Sequence, residues 1–86
     1  MPTISRFFGI IISMYWDEHN PPHFHVRFGE YKCSVSITNI SVIVGELPKK
    51  QERLVLAWAE IHQKELLQNW ELCQKDKQPM QIEPLR

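Results

Sequence analysis

His23-Phe24-His25-Val26-Arg27-Phe28 alternates without interruption: Phe24, Val26 and Phe28 fall on one side, and His23, His25 and Arg27 on the other. Successive side chains of an extended chain point to opposite faces, so a period of two marks a strand with one apolar and one polar face. Pro21-Pro22 stands just before it. Two residues without amide hydrogens hold the backbone extended and end any preceding ladder. Gly29-Glu30 follows as a turn.

The same period continues on both sides. From Tyr31 to Thr38, Tyr31, Cys33, Val35 and Ile37 alternate with Lys32, Ser34, Ser36 and Thr38. Asn39-Ile40 then turns the chain into a further strand over Ser41 to Glu46. Upstream, Ile4 to Trp16 is rich in Ile, Phe and Tyr and reads as one strand, with Phe8, Ile10, Ile12, Met14 and Trp16 on its apolar face. Gly9 reads as a bulge or a close backbone approach within it, and Glu18 to Pro22 as the turn that follows. Connections this short make residues 1–47 an antiparallel meander of about four strands.

Residues 48–77 have a different period. Pro48 suits a first helical position, and no Gly or Pro occurs from Lys49 to Lys77. Val55, Trp58, Ala59, His62, Leu66, Trp70 and Cys73 recur at three or four residues, which is one helical stripe. A single straight helix of this length would overhang so small a sheet, so a bend or break is expected between His62 and Glu65. Residues 78–86, with Pro79 and Pro84, form an extended tail, a place where mobility concentrates. The helix is the only element available to cover the apolar face of the sheet. The expected fold is therefore a small two-layer α+β domain spanning 1–86. A C-terminal helix or broken helix pair packs on one face, and the histidine-bearing face is left to solvent or a partner.

Composition narrows the function classes. At 86 residues the chain supports one small core. Its 43% hydrophobic and 23% charged residues are those of a globular domain, not of a disordered chain. Lys plus Arg equals Asp plus Glu, 10 against 10, so nucleic acid would have to be held by a local patch and not by bulk charge. Cys33 and Cys73 fit no metal-knuckle spacing and are expected to stay reduced, buried and inert. The run from Phe7 to Trp16 is too short to span a bilayer and lacks a cleavage pattern. A cytoplasmic protein with no membrane partner is expected.

Three of the four histidines lie in the segment Asp17-Glu18-His19-Asn20-Pro21-Pro22-His23-Phe24-His25. Imidazole titrates near neutrality and is the commonest metal ligand. A hairpin centred on Pro21 would pair Tyr15 with Arg27, Asp17 with His25, and His19 with His23, and cross-strand partners share a face. One reading is acid–base catalysis without metal or cofactor. Asp17 orients His25, His23 or His19 acts as the complementary acid, and Arg27 holds an anion such as a phosphodiester, the apparatus needed to cleave RNA. A second reading is a site for zinc or another divalent transition ion, with His23 and His25 as ligands and Asp17 or His19 as the third. The third is structural: a strand face exposed to water needs polar residues. His62 lies on the helical stripe and reads as a core histidine, or as a supporting partner if the helix reaches the site. Lys49, Lys50, Glu52 and Arg53 read as a solvated first turn; its basic residues run against the helix dipole, and the alternative is a contact with an acidic partner or phosphate.

Pro2-Thr3-Ile4, Phe7-Phe8-Gly9-Ile10, the Asp17-to-His25 segment, Gly45-Glu46-Leu47-Pro48 and the stretch from Trp58-Ala59-Glu60-Ile61-His62 to Asn69-Trp70 together resemble the bacterial domain-of-unknown-function family numbered 4160. The resemblance covers nearly the whole chain, and its Pro-Pro-His-Phe-His core is specific. It implies the toxin half of a type II toxin–antitoxin pair, encoded beside a second small protein of the unknown-function family numbered 2442, the cognate antitoxin. Asp17, His19, His23 and His25 fall on the family's motif, and His62 is a weaker transfer. The expected function is a toxin whose Asp/His face cleaves or binds RNA. The alternative is a non-enzymatic interaction or metal-binding module using the same face.

Overall fold

A computed structural model describes residues 2–86. Five strands, β1 (Thr3–Phe7), β2 (Ile10–Ser13), β3 (His23–Phe28), β4 (Tyr31–Ser36) and β5 (Ser41–Gly45), precede two helices, α1 (Lys49–Ile61) and α2 (Gln63–Gln74). The strands form one antiparallel meander in chain order. The α+β class and the helical cover on one face are as the sequence indicates.

The strand count differs by one. The run from Ile4 to Trp16 folds back on itself at Phe8-Gly9, both left-handed at φ 50° and 79°. Positive φ at both central residues is what a two-residue hairpin turn requires, and glycine supplies it without steric cost. Gly9 is thus a turn residue, neither a bulge nor a close approach. Phe8 leaves the apolar face and stands 59% exposed, while Ile4, Phe7, Ile10, Ile12 and Met14 are buried.

Alternation places the rest of the core. Phe24 and Val26 from β3, and Cys33 and Val35 from β4, are buried beneath Val55, Trp58 and Ala59 of α1 and Leu66, Trp70 and Cys73 of α2. Trp58 is the centre of this layer. Its ring lies 5.4 Å from Phe7 and 5.8 Å, edge-on, from Phe24, and its Nε1 donates to the Glu83 carbonyl at 2.8 Å. A buried indole thus contributes apolar area while keeping its one donor satisfied.

The helical segment breaks at His62, whose backbone (φ −108°, ψ 24°) joins α1 to α2. Gln63 Nε2 secures the junction on the Ile37 carbonyl at 2.8 Å. The tail is extended but fastened. Asn69 holds Met80 through Nδ2–H to its carbonyl and Oδ1 from its amide, both at 2.8 Å. Further along, the Ile82 amide donates to the Ile4 carbonyl on the outer edge of β1 at 2.8 Å. No helix among the described residues is long and apolar enough to cross a membrane.

Candidate functional site

The β2–β3 pairing fixes which residues share the polar face. Ile11 faces Arg27, Ile12 faces Val26, and Ser13 faces His25. The expected partners Tyr15–Arg27, Asp17–His25 and His19–His23 are therefore displaced by four residues. Residues 14–22 form a longer connection, with a cis Asn20–Pro21 bond and Asp17 left-handed at φ 60°. The cause is competition for the backbone of this segment. The Met14 amide donates to the Pro2 carbonyl at 3.1 Å, and the Asp17 amide to the Cys73 carbonyl at 3.4 Å. Gln74 Nε2 donates to the Glu18 carbonyl at 2.9 Å. These partners on the β1 side and on α2 replace a β3 ladder. An even displacement leaves every side chain on its original face, so His23, His25 and Arg27 keep the polar side.

Glu18 supplies the carboxylate. Its Oε1 lies 2.6 Å from His25 Nε2 and 3.3 Å from His23 Nε2. His23 Nδ1 donates to the Pro21 carbonyl at 2.7 Å. A carbonyl can only accept, so that nitrogen carries its hydrogen. His25 Nδ1 lies 3.4 Å from Ser34 Oγ. His25 sits on the central strand with Ser13 opposite it on β2 and Ser34 opposite it on β4. Those small neighbours leave room for the ring. Tyr15 meets His25 edge-on at 4.4 Å, and Trp70 of α2 lies 5.3 Å from the His23 ring. Beside the cluster runs an open groove of about 390 Å³, lined by Tyr15, His25, Arg27, Lys32, Ser34 and Val44 among others.

Of the residues singled out from sequence, His23 and His25 are brought together. Arg27 is exposed two residues further along the same face, in the groove wall. Asp17 is exposed and does not meet His25; its left-handed backbone turns the neighbouring Glu18 inward instead. His19 is exposed and outside the Glu18–His23–His25 set. His62 belongs elsewhere, with Nδ1 on Glu65 and its ring 5.5 Å from Trp58. The helix does reach the site, through Trp70 and Gln74. Glu18 was open to view as one of two adjacent carboxylates, but a strand pattern cannot say which of two loop residues points inward.

Chemically, a carboxylate on His25 orients the ring, the arrangement in which a histidine serves as a general base. The same three side chains are also metal ligands by type. The thiols take no part. Burial, with Glu52 adding to it, pushes Cys33 up to about 11, and burial, with Glu18 adding, raises Cys73. Both are free and buried, and a thiol held protonated is a poor nucleophile.

Among known families, the model described as "Domain of unknown function (DUF4160)" matches residues 9–71. No curated protein and no solved structure matches the chain.

Proposed function

We propose, from the premise that this chain belongs to the DUF4160 family, that it is the toxin half of a bacterial type II toxin–antitoxin pair and that it acts on RNA in the cytoplasm. One observation supports the target: Arg27 and Lys32 are direct cross-strand partners, and they line the same groove as His25. A guanidinium and an ammonium side by side suit a phosphodiester, and His25, the partner of Glu18, lines the same groove two residues away along β3. In this reading the Glu18–His23–His25 centre takes the proton of a ribose 2′-hydroxyl. The 2′ oxygen attacks phosphorus, and the 5′ oxygen leaves with a proton. The products are a cyclic phosphate and a free 5′-hydroxyl, so no oxidant or reductant is consumed. The antitoxin, resembling the family numbered 2442, silences the protein by covering this face.

The test pairs growth with chemistry. Glu18→Gln and His25→Ala are expected to relieve growth arrest and to lower RNA cleavage by the purified chain at least about 100-fold, the usual contribution of a positioned acid or base. Asp17→Asn should leave both intact. Persistent toxicity in folded Glu18→Gln and His25→Ala variants would refute the reading. Toxicity that is lost while the purified wild-type chain cleaves no RNA would make the face a docking surface for a protein.

A further inference from the structure

We infer that Glu18, His23 and His25 form a binding site for one divalent transition-metal ion, held by Glu18 Oε1 and the Nε2 atoms of both imidazoles. Asp17 and His19, the third ligands that the sequence suggests, take no part.

The argument starts from a tautomer. Because His23 Nδ1 carries the hydrogen given to the Pro21 carbonyl, the neutral ring presents a bare lone pair at Nε2. That lone pair is aimed at a carboxylate oxygen 3.3 Å away, the same oxygen that His25 Nε2 approaches at 2.6 Å. Two ring nitrogens converging on one anionic oxygen is an arrangement that a cation completes. A proton satisfies one nitrogen at a time, whereas a metal ion meets all three ligand atoms together. These atoms lie within 4.8 Å of one another.

The two edges at Glu18 suit a small ion. With bonds of about 2.0–2.1 Å, neighbouring ligands in a tetrahedral site are about 3.3 Å apart. The His23–Glu18 edge already has that length. The His25–Glu18 edge of 2.6 Å must open by roughly 0.7 Å, and the flexible Glu18 side chain, 26% exposed, has the room to do so.

The surroundings are those of a ligand set. Metal-bound imidazoles almost always place their other nitrogen on an oxygen, which fixes the ring and raises its basicity. Here His23 uses the Pro21 carbonyl and His25 the Ser34 hydroxyl. Trp70 and Tyr15 pack against the rings, and Gln74 ties down the Glu18 backbone. Two imidazoles and one carboxylate select zinc and its divalent first-row neighbours over calcium or magnesium, which take oxygen ligands throughout. With only three protein ligands, coordination positions remain for water or a phosphate oxygen.

Ion binding is a property of the folded chain alone, and the RNA reading uses the same side chains in their metal-free state, since an imidazole nitrogen bound to the ion cannot also take a proton. The experiment is calorimetric titration of the chelator-treated, full-length chain with Zn²⁺ and, separately, Co²⁺, in the absence of RNA. Cobalt absorption serves as a second readout of ligand type. One ion per chain is expected. His25→Ala and Glu18→Gln should weaken binding at least about 100-fold, and Ser34→Ala about 10-fold, as loss of an outer partner does. His19→Ala and Asp17→Asn should leave it unchanged. Circular dichroism establishes that each variant is folded, and Glu18→Gln, nearly isosteric, serves if His25→Ala is not. Absence of saturable binding would overturn the proposal. So would binding that survives both His25→Ala and Glu18→Gln, or that His19→Ala removes. A chain that binds the ion but spares RNA would keep this site and discard the proposed substrate.

Discussion

Replacing Asn69 by alanine should cost about 2–3 kcal/mol, although Asn69 touches neither the groove nor the histidines. The side chain is 2% exposed on α2 and satisfies both backbone groups of Met80 at 2.8 Å. Each hydrogen bond contributes about 1 kcal/mol net, and a polar group left buried without a partner costs about 1–3 kcal/mol. The Met80 side chain is 62% exposed, so water reaches part of the gap and the lower end of that range applies to each group. The loss extends to the tail, which carries the buried Ile82 and the carbonyl that receives Trp58 Nε1. In a domain this small, about 1 kcal/mol moves the melting temperature by about 4–8 °C, so a fall of about 10–20 °C is expected. Thermal unfolding followed by circular dichroism measures the fall, and urea unfolding followed by tryptophan fluorescence measures the cost. Asn69→Asp supplies the sign check. Its buried carboxyl would face the Met80 carbonyl, which favours the neutral form and raises its folded pKa above the unfolded value. The variant should therefore be destabilised at neutral pH and regain stability as pH falls toward 4 and the carboxyl becomes a donor. A cost for Asn69→Ala below about 1 kcal/mol would show that water replaces both bonds, and the clamp argument would fail.

Two further outcomes follow from local geometry. At Gly45, φ is 78° and an added Cβ would sit on the Lys32 carbonyl oxygen and 2.9 Å from Cys33 Cα. Gly45→Ala should therefore cost about 3 kcal/mol or more, against about 1 kcal/mol for Gly29→Ala, which is also left-handed but has nothing within 4 Å. Equal shifts in urea midpoint would remove the steric argument. Burial, with Glu52 adding, lifts the Cys33 thiol from 9.0 to about 11. At pH 8 its thiolate fraction then falls about 100-fold, and iodoacetamide should label Cys33 that much more slowly in the native than in the unfolded chain. Because the folded value is the higher one, this group's contribution to stability is lost as pH rises above 9. Comparable labelling rates in the two states would contradict the burial.

What the sequence could and could not disclose depends on the range of the interactions involved. β3, β4 and the helical segment are legible because local period decides them: two residues in the strands, three to four in the helices. The β1–β2 turn is hidden, since Phe8-Gly9 contains a single turn-forming residue and apolar residues continue on both sides. The register of β2 against β3 is hidden for a different reason. It depends on where residues 14–18 send their backbone bonds, and those partners, Pro2, Cys73 and Gln74, lie at opposite ends of the chain.

His23, His25 and Arg27 share one face despite the different register because a displacement of four residues preserves the faces. His23 and His25 owe their shared face to strand alternation. Glu18 owes its direction to the left-handed backbone at Asp17 and to the grip of α2 on the loop. The cluster therefore has two rigid members and one conditional member. Loss of the Gln74 contact should displace the carboxylate while leaving both imidazoles in place. Gln74, on a helix far from the histidines in sequence, is thus a positioning residue for the one ligand that strand geometry does not fix.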